Sequence, residues 1–184
     1  LFSTSGETVP IGLLRSIPPD QSVGVGSLEK VIFIYNDEVD QSFPIPVNAL
    51  IGTYTDLPLD MNPFENRSIT AQGSPSVEGN QVIFSGITVG DTNNREYTFR
   101  LSPGVVRGTS RRGFDQRMRT VRFLGPLTPL YALPSQITAR LTAWGDDATA
   151  NISDYDLYKL IHQVSSYFVE RSGIVMTNTN SMAV

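Results

Sequence analysis

The stretch REYTFRLS, residues 95–102, alternates without a break. Tyr97, Phe99 and Leu101 point one way, and Glu96, Thr98, Arg100 and Ser102 point the other. Successive side chains of a β-strand face opposite sides of the sheet, so this pattern predicts a strand with one buried and one wet face. Similar short segments lie on either side of it: LEKVIFIY (28–35), ALIGTY (49–54), RSITAQ (67–72), NQVIFSG (80–86) and RTVRFLG (119–125). β-Branched and aromatic residues are frequent in them, and turn-forming residues separate them. Both faces of VIFIY (31–35) are apolar, which predicts a more central strand. About seven strands punctuated by turns predict a β-sandwich.

VIFIY runs straight into Asp37, Glu38 and Asp40, with Asp20 upstream. Carboxylates in such a run can ligate Ca²⁺, but the EF-hand spacing is absent. The expectation is therefore a polar turn at the exit of a buried strand.

The 184 residues are 40% hydrophobic and 17% charged, enough to bury one domain core with a small appendage. The net charge of −4 argues against a general nucleic-acid binder. With no cysteine, disulfides, thiol nucleophiles and thiolate metal sites are excluded. No apolar run approaches the ~18 residues of a membrane span, so no membrane partner is expected.

Gly and Pro punctuate residues 1–27, which read as extended. Residues 1–15 are expected as an N-terminal arm, 16–125 as the sandwich domain and 126–134 as a stiff Pro-rich linker. Residues 135–173 are expected as a helical hairpin and 174–184 as a loose polar tail. In SQITARLTAWG, Ile137, Leu141 and Trp144 fall at helical spacing, with Ser135 as N-cap and Gly145 as the stop. In the longer helix, Ser153 and Asp156 have capping-box spacing and Gly173 ends the run. Leu157, Ile161, Val164 and Phe168 form a 4-3-4 stripe that Leu160 and Tyr167 widen. The hairpin is too small to build its own core, so this stripe must pack on the sandwich or on another subunit.

No catalytic set stands out. His162 is the only histidine and is expected at a helix surface or interface. Asp154 and Asp156 lie in a first helical turn, which the macrodipole favours, and Asp146 and Asp147 fall in the inter-helix loop. The sequence has no G-x-S-x-G, P-loop or G-x-G-x-x-G pattern. Arg107, Arg111, Arg112, Arg117, Arg119 and Arg122 crowd one region against Asp115 alone. That loop is expected to be solvated, to meet acidic patches of a partner subunit, or, least of the three, to meet nucleic-acid phosphates.

SIPPDQSVGV, LEKVIFIYNDEVD and QVIFSGITVGDTNNREYTFRLSPGV together resemble the bacterial Ig-like domain first described in S-layer proteins. In that family a Pro-x-Asp/Asn-Gly turn precedes a strand ending Phe-Ser/Asn-Glu-Pro-Val-Asp. Pro19-Asp20-Gln21 and Tyr35-Asn36-Asp37-Glu38-Val39-Asp40 occupy those places, with Gln21 for the usual Gly and Glu38 for the usual Pro. Tyr97, Phe99, Leu101, Gly104 and Val105 match the family's later strand. The resemblance covers about 16–125 and implies an Ig-like β-sandwich with a C-terminal α-helical hairpin, a mainly β fold with no catalytic residues.

The segment LTPLYALPSQITARLTAWG and the helix after it are similar to tailed-phage head-to-tail adaptor, or neck, proteins. That resemblance implies a non-enzymatic virion structural protein, self-associating into a ring beside neighbours such as a portal. The expected subunit contacts are Leu157, Ile161, Val164 and Phe168 on the helix and Arg111, Arg112 and Arg117 on the loop. No cofactor, metal or small-molecule ligand is expected. The alternative is a bacterial cell-surface or adhesin Ig-like binding module. An enzyme's accessory module would instead call for an exposed aromatic platform on the sandwich, whereas the single Trp, Trp144, falls in the helical part.

Overall fold

The structure is a computed structural model that describes residues 9–57, 67–69, 75–89, 92–110, 113–143 and 152–173. Eight strands are described, in two antiparallel sheets. The first has the order β1 (Leu13–Ile17), β2 (Lys30–Tyr35), β6 (Gln81–Ser85), β5 (Ser76–Glu78). The second has the order β4 (Arg67–Ile69), β3 (Leu50–Asp56), β7 (Arg95–Leu101), β8 (Arg119–Leu124). Helices α1 (Pro134–Ala143) and α2 (Asp154–Ser172) follow.

The alternation in β7 does what it predicts. Tyr97, Phe99 and Leu101 are buried, and they meet Val31, Phe33, Tyr35, Val82 and Phe84 of the opposing sheet in one core. Tyr97 and Phe99 flank Phe123 of β8 in near-parallel stacks, at 5.1 and 5.9 Å between ring centroids. Gly52 of β3 makes room for this stack: a Cβ there would lie 2.7 Å from the Phe99 ring. In β2 every residue from Val31 to Tyr35 is buried, as its apolar faces and its place between β1 and β6 require.

Two strands escaped the sequence reading. β1 lies in the stretch expected to be extended and overlaps the arm assigned to 1–15. A bulge at Leu14 shifts its register between Leu13 and Arg15, which breaks the alternation that would have marked it. Ile11 is buried in the core and Pro10 bridges to Gly113, so the chain joins the sandwich from its first described residues. β5 has only three residues, too few to show a period.

The Pro-rich segment 126–134 is packed and does not hang between bodies. Leu127 is buried with Leu57, Leu124 and Tyr155, and Asn94 holds the segment at both Pro126 and Thr128. α1 begins one residue earlier than expected, with Pro134 in its first turn. Gln136, not Ser135, supplies the capping bond, accepting from the Leu133 amide at 2.9 Å. α2 has the predicted ends: Ser153 caps it by accepting from the Asp156 amide, and Gly173 closes it in the left-handed region at φ 64°. The expectations for residues 1–8, Trp144, Gly145, Asp146, Asp147, Arg111, Arg112 and the 174–184 tail lie outside the described residues.

Candidate assembly surface on the helical part

α2 docks on the outer face of the β4-β3-β7-β8 sheet through polar side chains. Glu96 stands on that face because its neighbours Arg95 and Tyr97 occupy the alternate positions of β7. Its carboxylate accepts from the Tyr155 hydroxyl at 2.7 Å and from Lys159 Nζ at 3.0 Å on each oxygen. Arg122 of β8 lies over the Tyr155 ring at 5.9 Å. Burial, and then the hydrogen bond to Glu96, push the Tyr155 hydroxyl above the ordinary phenol range.

His162, expected at a helix surface or interface, is 1% exposed. Its Nδ1 faces the Pro129 carbonyl at 3.1 Å, which fixes Nδ1–H as donor, while the buried Nε2 has no hydrogen-bond partner. One turn on, the buried Ser165 hydroxyl accepts from the Tyr131 amide at 3.2 Å. α2 therefore grips the sandwich through Tyr155 and the Pro-rich segment through His162 and Ser165.

This arrangement divides the predicted stripe. Leu157 and Ile161 are buried within the chain. Val164 and Phe168 are not, and together with Leu160 and Tyr167 they are between 42% and 60% exposed. Leu160, Val164 and Phe168 of this set, with the buried Leu157 and Ile161, line an apolar groove of about 510 Å³ between the helices, whose walls include Tyr131, Ile137 and Leu141. The Tyr131 ring meets Phe168 edge-on at 6.0 Å. The contribution of Tyr131 was not legible in the sequence, because it sits in a Pro-rich stretch with no period.

Of the arginine-rich region, Arg107, Arg119 and Arg122 are used within the molecule. Arg119 grips Asp115 through two bonds, 2.7 and 3.0 Å, in a mostly buried ion pair. Arg107 lies over Phe43 at 4.6 Å and Phe114 at 5.7 Å. Arg122 is over Tyr155, and its amide donates to Asp20. Arg117 is exposed, away from the helical groove.

The acidic run after β2 is tied down as a turn. Asp37 accepts from both the amide and the hydroxyl of Ser110, Asp40 accepts from Ser42, and Val39 bridges to Gly108. Among the described residues no three His, Asp or Glu converge as a metal site. No described helix is long and apolar enough to cross a membrane.

No family model matches the chain, and no curated protein matches it. Among solved structures, it is similar to the N-terminal part of the bacterial S-layer protein SbsC, at 16% identity and a TM-score of 0.39. That match covers 68% of this chain and 25% of the other, so the chain spans about a quarter of that S-layer structure. It is also similar to CopC from Methylosinus trichosporium OB3b, at 10% identity and a TM-score of 0.39, over 66% of this chain and 99% of that one. A third similarity is to PcoC, a methionine-rich copper resistance protein from Escherichia coli, at 14% identity and a TM-score of 0.38, over 62% and 97%.

Proposed function

We propose that this chain is a non-enzymatic structural component in which an Ig-like sandwich carries a helical assembly element. The observation behind this reading is the division of α2. Polar side chains hold the helix to the sandwich, while Leu160, Val164 and Phe168 are left in water along an apolar groove, with the exposed Tyr167 on the same helix. Contiguous apolar surface of this kind marks an interaction site. Several carboxylates have structural partners: Glu96 holds α2, Asp115 holds Arg119, and Asp37 holds the Ser110 loop.

The Ig-like reading of 16–125 draws support from Gln21. It takes φ 62° in the turn where the Pro19 carbonyl accepts from the Ser22 amide. The Ig-like pattern places a glycine at that position, and only glycine adopts such a φ without strain. On the resemblance of its C-terminal segment to head-to-tail adaptors, we read the component as part of a tailed-phage virion, at the neck beside a portal. The alternative setting is a bacterial cell-surface Ig-like binding module, which the strand pattern of the sandwich favours.

Light scattering on the purified protein over a wide concentration range tests the reading. A defined multimer supports an assembling component. A monomer at every concentration overturns it and leaves the cell-surface binding module.

A further inference from the structure

We propose that the occupant of the α1–α2 groove is a second copy of this chain, packed antiparallel along α2 about a two-fold axis at Val164. This rests on the assembly reading above and names its partner. Three features of the helix point to self-pairing.

The exposed stripe is symmetric about Val164, with Leu160 four residues before it and Phe168 four residues after it, and Tyr167 on its flank. Reversing such a helix against itself sets Val164 against Val164 and Leu160 against Phe168 of the second copy. Residues three and four apart share a helix face, so these contacts lie on one seam. The helix of 19 residues is about 28 Å long, enough for a seam of five turns.

The charges agree with the reversed direction. The first turn carries the acids Asp154 and Asp156, and the last turn carries the adjacent Glu170 and Arg171. Antiparallel packing sets Asp156 of one copy near Arg171 of the other and opposes the two macrodipoles. A parallel pair would set the acids of the two first turns together and align the two macrodipoles.

A contact of this symmetry closes on itself as a dimer. Any ring would be built from such pairs through a different surface.

The absence of cysteine makes the test direct. Val164→Cys places one thiol per chain on the axis, at an exposed position that the fold does not need. Ser172→Cys, also exposed, stands two turns away and is the control. Mild oxidation is expected to convert Val164→Cys to a covalent species of twice the 20.2 kDa chain mass, and to leave Ser172→Cys uncoupled. A multimer by light scattering with no Val164→Cys coupling would overturn the two-fold pairing and leave the assembly reading standing. A wild-type monomer with no coupling would overturn both.

Discussion

The Tyr155 hydroxyl and the Glu96 carboxylate meet at 2.7 Å, joining helix α2 to strand β7 across 59 positions of sequence. Lys159 binds the same carboxylate, so a single side chain on the sheet secures the first turns of the helix. Glu96→Ala removes the acceptor of all these bonds and leaves the Tyr155 hydroxyl without its partner. The expected cost is about 2 kcal/mol, and Tyr155→Phe should cost about 1 kcal/mol. Native-state amide exchange checks where the loss falls. Protection in α2 should drop by more than protection in β7, and equal losses in both would refute the docking role.

Alkaline pH should weaken the fold. Tyr155 and Tyr35 both have hydroxyls held above the ordinary phenol range, chiefly by burial, aided by Glu96 at the first and by Asp115 at the second. An unfolded tyrosine loses its proton near pH ~10, while the folded protein keeps both. Stability is then full below that pH and falls as pH rises above it, because the unfolded chain binds fewer protons. Urea unfolding on the alkaline side should show Tyr155→Phe with a slope shallower by about 1.4 kcal/mol per pH unit. An unchanged slope would mean that Tyr155 ionises equally in both states.

Gly52→Ala should destabilise the sandwich. Its Cβ would press on the Phe99 ring, which is stacked on Phe123 and has no free space to move into. Overpacking of this kind costs about 1–3 kcal/mol. The midpoint of urea denaturation reads it, and a stabilised variant would show that the stack can shift.

How much of this was legible in the sequence depended on length and regularity. β7 and β2 were plain because alternation and apolar runs persist over six or seven residues. α2 was plain because its stripe, cap and stop agree. β1 was hidden by its bulge, and β5 by its brevity. The side of α2 that grips the sandwich was hidden for a different reason. Periodicity finds an apolar stripe but does not say what covers it. Tyr155, His162 and Ser165 are polar by type and became buried only because Glu96, Pro129 and Tyr131 stood opposite, contacts 33 or more residues away. Within the arginine cluster, the sequence did not show that Arg119, Arg107 and Arg122 meet Asp115, Phe43 and Tyr155.

Gln21→Gly should stabilise the protein. The residue sits at φ 62°, where a Cβ crowds the following carbonyl, while its amide bonds Arg122 and needs no side chain. Relief of that strain is expected to contribute about 1 kcal/mol, offset in part by the added freedom of the unfolded chain. Thermal denaturation checks it. A lower melting temperature would show that the Gln21 side chain contributes more than its backbone costs.

The most direct test of the central claim is the solution mass of the wild type beside Val164→Glu and Arg117→Glu, measured by light scattering at matched concentrations. Both positions are exposed, so both variants should fold. The account predicts a multimer for the wild type and for Arg117→Glu, and a 20.2 kDa monomer for Val164→Glu, because a charge on the α2 seam is buried by assembly and one on the loop is not. An assembly that survives Val164→Glu, or that Arg117→Glu abolishes, would contradict the claim that the helical face holds it together.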